Sequence, residues 1–202
     1  MRQKHIRFYF NGIKLSDYII KKKKFSEDEA LKIFKEILSV LIYLKEMYLC
    51  NLNLNSHNIL IDEKNNIKIC DFKFGHFYSP KEKSKSNLIG DHFSACPELH
   101  SKRPYNPELA DVWSLGILLY QLITGTLPFK SQKDLELIRL IIRGDYLLPN
   151  SLSNNIISKR LAIDIISLIV NLLRIESLLF RFFLLHRLSS EINVATLHFI
   201  LI

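Results

Sequence analysis

The chain has 202 residues, of which 48% are hydrophobic and 24% charged, with a net charge of +8. This is ordinary globular usage, which excludes global disorder and supplies apolar material for a sizeable core. Cys50, Cys70 and Cys96 are odd in number and widely spaced; they fit neither a disulfide framework nor a zinc site and point to a reducing, intracellular compartment, cytoplasmic or nuclear.

Met1 to His5 carry basic side chains but no apolar run of the signal-peptide kind. Lys21-Lys22-Lys23-Lys24 is the densest cationic cluster. It lacks interleaved aromatics and any nucleic-acid motif, so it reads as a solvated helix end. Phe25-Ser26-Glu27-Asp28-Glu29 opens a helix, with Ser26 and Glu29 forming a capping box. Ala30, Ile33, Phe34, Ile37, Leu38 and Leu41 then recur at helical spacing, and the helix ends near Met47.

After a polar stretch from Asn51 to Asn58, Ile59-Leu60-Ile61 and Ile67-Lys68-Ile69-Cys70 flank a turn and predict a β-hairpin. Residues 73–94 are polar and predict a long mobile loop. Ala110 to Thr124 is nearly all apolar and predicts a buried central helix, stopped by Gly125. Ser131 to Arg143 predicts another helix, capped by Ser131 with Asp134 in the capping-box position and closed by Gly144. Residues 161–174 predict one more. Ile165 to Leu173 is too short to span a bilayer, and Arg174, Glu176 and Arg181 interrupt the apolar sequence after it, so buried helices are favoured over a membrane. The fold class is mainly α with a small β-hairpin.

Asn51-Leu52-Asn53-Leu54-Asn55-Ser56-His57-Asn58 and Asp71-Phe72-Lys73 resemble the H-R-D-L-x-x-x-N and D-F-G motifs of protein kinases. Asn55, Asn58 and Asp71 follow Asn53 at the family's offsets of two, five and eighteen residues. Ala95-Cys96-Pro97-Glu98 resembles the A-P-E motif. Asp111-Val112-Trp113-Ser114-Leu115-Gly116 and Thr124-Gly125-Thr126-Leu127-Pro128-Phe129 are similar to motifs located downstream of it. Phe8 to Ile19 is similar to the hinge and the start of the large lobe. The likeness covers about residues 6–175 and leans toward the calmodulin-dependent and AMP-activated groups of Ser/Thr kinases.

The resemblance implies a protein-kinase-like large lobe over 13–175, a hinge-like remnant over 1–12 and a divergent apolar tail over 176–202. No Gly-rich loop or strand lysine has a counterpart in the sequence, which implies that the small lobe is absent. Asn53 stands where the family has its base and Asn55 where it has a lysine facing the transferred phosphate. An amide cannot take a proton, and loss of a general base costs roughly 10²–10⁴-fold. Replacing the lysine removes a positive charge where negative charge develops. Leu52 replaces the arginine that grips a phosphorylated loop, Asn87 falls near the usual phosphorylation position, and Asp91 replaces a Thr or Ser of the substrate-side loop. Asn58 and Asp71 match the metal positions and leave room for weak Mg·ATP binding, with neither needed for the fold. The alternative for both is a purely structural role in local hydrogen bonds. Leu60 matches the residue beneath the adenine ring. Asp111 matches an aspartate that bonds catalytic-loop amides, and Glu98 one that pairs with an arginine in the late helices, near Phe180 and Arg181. His57 is expected on the surface with no catalytic role.

These residues imply a catalytically impaired Ser/Thr pseudokinase acting by protein binding. An active Ser/Thr kinase from an incomplete chain, and a basic nucleic-acid or membrane-surface binder, stand beside it as alternatives. A protein partner is favoured over nucleic acid or membrane.

Overall fold

The computed structural model describes residues 10–23, 25–85 and 90–146. The N-terminal described residues lead through strand β1 (Ile13–Lys14) into helix α1 (Leu15–Lys22). Leu15 and Ile19, one helical turn apart, are its buried stripe. Lys23 ends the helix in a left-handed conformation, φ 65°, and donates its N–H to the Ile19 carbonyl. The expected solvated lysine cluster is corrected in one respect. Lys22 forms an ion pair with Glu29 and lies 5.0 Å from the Phe25 ring centroid and 5.7 Å from that of Tyr18. It fastens the end of α1 to the start of the next helix; Lys24 lies outside the described residues.

Helix α2 (Glu27–Glu46) begins at the capping box. Ser26 Oγ accepts from Glu29 N at 3.3 Å, and the Glu29 carboxylate accepts from Ser26 N at 3.0 Å. Its apolar stripe, including Ala30, Ile33, Ile37, Leu41 and Leu44, is buried. Full burial of a side chain such as Ile33 or Ile37 is worth about 1.5–3 kcal/mol.

Strands β3 (Ile59–Ile61) and β4 (Ile67–Ile69) form the predicted hairpin, in the register Ile59–Ile69, Leu60–Lys68 and Ile61–Ile67. Asp62 Oδ1 accepts from the amides of Lys64 and Asn66 and closes the turn. Strand β1 adds to the β3 edge, so the hairpin becomes a three-stranded sheet. The four isoleucines at 59, 61, 67 and 69 all face inward and are buried, as alternation requires.

The expectation of a long loop over 73–94 is also corrected. β5 (His76–Phe77) pairs antiparallel with β2 (Leu49–Cys50) in a second small sheet. Ser84 then bridges to Tyr105 through reciprocal backbone bonds of 2.8 and 3.0 Å. These pairings are too short and too distant in sequence to leave a periodic signal.

A single turn, α3 (Pro97–His100), precedes the long helix α4 (Pro107–Thr124). Asn106 caps α4 by accepting from Glu108 N at 2.9 Å, with Pro107 in the first turn. One group of core residues, among them Ile37, Leu54, Ile59 and Leu118, fills the space between α1, α2, the hairpin and α4. A second, among them Cys50, Leu99, Phe129 and Ile141, packs around Trp113 and Ile117 on α4. The helix is apolar all round because it has a core on both sides. Gly125 ends it at φ 73°, where an added Cβ would lie 2.4 Å from the Lys23 carbonyl oxygen. Trp113 stacks on Phe129, with centroids 5.9 Å apart.

Helix α5 (Asp134–Arg143) starts three residues after the predicted Ser131. Ser131 Oγ accepts from Lys133 N and donates to Glu136, which fixes the turn before the helix instead of capping its first amides. Gly144 closes it, as expected. The predicted helix at 161–174 and the tail at 176–202 lie outside the described residues. No helix among the described residues is long and apolar enough to cross a membrane. The described chain is mainly helical with two small sheets.

Candidate functional site

The polar stretch 51–58 runs from β2 to a 3-10 turn (Ser56–Asn58) that leads into β3, and Asp111 anchors its start. This carboxylate sits in the first turns of α4, 4% exposed, and accepts from Asn51 N and Leu52 N at 2.7 Å each. Burial pushes its carboxyl up to about 6, against the pull of the two amides. Leu52 is held at φ 56°, a conformation that L-residues adopt only under constraint. Asn51 Oδ1 accepts from Asn53 N at 3.0 Å and carries the order one residue further.

Asn53 is the hub of the loop's hydrogen bonds. Its Nδ2 donates to Asp71 Oδ2 at 2.8 Å. Its main-chain oxygen accepts from Asn55 Nδ2 at 3.0 Å and Asn58 Nδ2 at 2.9 Å, and its Oδ1 accepts from Asn55 at 3.3 Å. Asn55 is buried and turned inward; its own Oδ1 accepts from His57 N and caps the 3-10 turn. His57 itself is exposed. Asn58 accepts from Cys70 N at 2.8 Å through its main-chain oxygen, which ties the loop to the end of the hairpin and so positions Asp71. Asp71 stands at φ 59° and also accepts from Lys73 N at 3.3 Å. Lys73 extends over the Phe74 ring, its ammonium 5.5 Å from the centroid.

The structure thus brings Asn53, Asn55, Asn58 and Asp71 into one hydrogen-bonded cluster, and Asp111 holds the loop that carries it. Leu60 lies in β3, half-buried, on the face opposite Ile59 and Ile61. Glu98 lies on α3, where its main-chain oxygen accepts from Arg103 N at 2.9 Å. Phe180 and Arg181, which sequence placed opposite it, are outside the described residues, as is Asn87. Asp91 organises the turn before α3: its main-chain oxygen accepts from Ser94 N and Ala95 N, and Ser114 Oγ on α4 donates to the Ser94 carbonyl. Sequence reasoning assigned no role to Asn51 or Gly90. Asn51 belongs to the alternating run of asparagines, which was the available signal. Gly90 packs so closely on Asn53 that an added Cβ would lie 2.4 Å from its Oδ1, and no sequence pattern marks that approach.

Chemically, the cluster offers one carboxylate and several amides. Among the described residues no group of three or more His, Cys, Asp or Glu side chains could hold a metal ion. Of the two residues that the resemblance matches to metal positions, Asp71 offers a carboxylate and Asn58 a side-chain amide oxygen.

The chain matches the family model of the protein kinase domain over residues 5–177. It is 38% identical over 160 residues to Probable serine/threonine-protein kinase HSL1 of Saccharomyces cerevisiae, covering 77% of this chain and 10% of that protein. It is 36% identical over 159 residues to SNF1-related protein kinase catalytic subunit alpha KIN12 of Arabidopsis thaliana, covering 77% of this chain and 32% of the relative. CBL-interacting protein kinase 21 of Oryza sativa is 36% identical over 149 residues, 72% of this chain and 28% of its own length. The chain therefore spans about a third or less of these relatives. It belongs to the protein kinase superfamily and is similar to Ser/Thr kinases of the AMP-activated and calmodulin-dependent kind.

Proposed function

We propose that this member of the protein kinase superfamily is a catalytically impaired Ser/Thr pseudokinase that acts by binding another protein. By resemblance, residues 13–175 correspond to the family's large lobe, 1–12 to a hinge-like remnant and 176–202 to a divergent apolar tail. The observation that carries the reading is the state of Asn53. At the position where a kinase has the base that accepts the substrate hydroxyl proton, this chain presents an amide whose NH₂ donates to Asp71 at 2.8 Å. The nitrogen lone pair is delocalised into the carbonyl, and a neutral amide is far too weak a base to take the proton. Asn55, at the position of the lysine that faces the transferred phosphate, is buried and bonded to Asn53 and His57. Phosphoryl transfer rests on positioning and electrostatics, and here both the base and the cation are missing from the positions that would supply them.

Members of this family use ATP with magnesium. Magnesium usually takes one or two protein carboxylates and completes its shell with phosphates and water. The single carboxylate here already accepts from Asn53 and Lys73, a poor fit to a resident cation, so any nucleotide is bound weakly. Leu60 would lie beneath its base.

An active Ser/Thr kinase is the second reading, favoured by Asp71 and Asn58 at the family's metal positions and by the kinase names of the relatives. A basic nucleic-acid binder gains less, since Lys22 is engaged with Glu29 and two rings. The test is transfer of the γ-phosphate of labelled ATP to a generic Ser/Thr substrate, with the Asp71→Ala variant as control. The pseudokinase reading expects wild type and variant to match the buffer blank. Transfer that the Asp71→Ala change abolishes would establish the active kinase.

A further inference from the structure

We propose that the Asn53 side chain stands in for a divalent cation at Asp71, so that this loop is held in place without metal. The inference rests on the reading of residue 53 as the base position of an impaired kinase and deepens it.

An ionised carboxylate only accepts hydrogen bonds. Asn53 must therefore turn its NH₂ to Asp71, which leaves Oδ1 to accept from Asn55, as observed. An aspartate at position 53 in the same place would set two carboxylate oxygens about 3 Å apart, an arrangement that needs a shared proton or a bridging cation. The amide needs neither, because its partly positive N–H already faces the negative oxygen.

The amide is also fixed. Asn53 is 7% exposed. Its main-chain N–H donates to Asn51, and its main-chain oxygen receives Asn55 and Asn58. Gly90 closes the remaining side, with room for no Cβ beside Oδ1. These bonds hold the main chain, and swinging the side chain away from Asp71 would also break the bond that Asn55 donates to its Oδ1. Asp71, held at a left-handed φ of 59°, takes its second bond from Lys73 N. Its carboxylate is thus bonded on both oxygens by the chain itself, and a cation arriving there must displace or weaken the Asn53 bond.

The test compares the purified 202-residue wild type, Asn53→Asp and Asn53→Ala, each melted in EDTA and in millimolar MgCl₂. Mn²⁺ binding is followed separately by electron paramagnetic resonance. Wild type should melt at the same temperature in both buffers and bind no Mn²⁺. Asn53→Asp should melt lower in EDTA and rise by about 3–5 °C when the cation reaches about ten times its Kd. Asn53→Ala frees Asp71 Oδ2 without adding charge; it should bind Mn²⁺ more tightly than wild type and carries the test if Asn53→Asp does not fold. A wild-type melt that rises with Mg²⁺, or wild-type Mn²⁺ binding as tight as that of Asn53→Ala, overturns the proposal. The two ideas fail separately: wild-type cation binding without phosphate transfer sinks this inference alone, whereas phosphate transfer sinks the pseudokinase reading.

Discussion

Truncating Asp111 to alanine removes the acceptor of two 2.7 Å bonds from the buried amides of Asn51 and Leu52. Each orphaned N–H costs about 1–3 kcal/mol, and the small cavity adds about 1 kcal/mol. Against this, burial holds the carboxyl near 6 where the ordinary value is 3.8. Keeping it ionised at pH 7 therefore costs about 3 kcal/mol, a cost that alanine removes. At the middle of these ranges the orphaned amides win, and the variant should be less stable by about 2 kcal/mol at pH 7. The pH dependence comes from the direction of the shift. The folded state holds the Asp111 proton more tightly than the unfolded state, so wild type sheds its ionisation cost as pH falls through 6 toward 3.8. Between pH 7 and pH 5 the gap between wild type and Asp111→Ala should widen by about 1 kcal/mol. Urea denaturation at both pH values measures the gap, and hydrogen exchange at Asn51 and Leu52 reports the two amides directly. Unchanged stability at both pH values, with both amides still protected, would refute the assignment of Asp111 as their acceptor.

Gly90→Ala should cost about 1–3 kcal/mol by overpacking, because the new Cβ would meet Asn53 Oδ1 at 2.4 Å; a urea midpoint equal to wild type would show that the loop simply moves aside. Ser26→Ala should cost about 1 kcal/mol through loss of the α2 cap, read as faster exchange of the first amides of that helix. Lys22 and the Ser26 bonds hold the Glu29 carboxyl down at about 2, below its ordinary 4.5. Its contribution is full above pH 4.5 and lost as pH falls toward 2. Glu29→Gln should therefore flatten the acid dependence of exchange at the start of α2, and a variant with the wild-type acid profile would rule out this ion pair as the cause.

What the sequence disclosed was local. The Ser26–Glu29 box, the isoleucine hairpin and the glycine stops at 125 and 144 are each written within a few residues, and each stands where it was expected. The start of α5 was misplaced because Ser131 has the composition of a cap while its hydroxyl binds Lys133 and Glu136. Strand β5 was missed because a two-residue strand has no period, and its partner β2 lies 26 residues earlier at Cys50–His76. Within the site, Asn53 and Asp71 were each picked out by resemblance to motifs. Their mutual bond was not legible, since spacing of eighteen residues says nothing about which oxygen faces which amide. For Asp111 the resemblance pointed to the catalytic-loop amides, but which two of them, 59 and 60 positions away, was not legible in the spacing.

The meeting of Gly125 with Lys23 has a bearing on how this sequence can change. Two requirements fall on one residue: a left-handed φ of 73° and a carbonyl 2.4 Å from where a Cβ would be. A left-handed non-glycine residue costs about 1–2 kcal/mol, which neighbouring adjustments can absorb; contact with a main-chain oxygen cannot be relieved by a side-chain rotation. Any other residue at 125 must shift α1 away from the end of α4, and Lys22, with its ring and carboxylate partners, would move with it. The opening segment of the fold and its central helix are therefore mutationally coupled at a point where neither contributes a side chain, and drift in one is restrained by the backbone of the other.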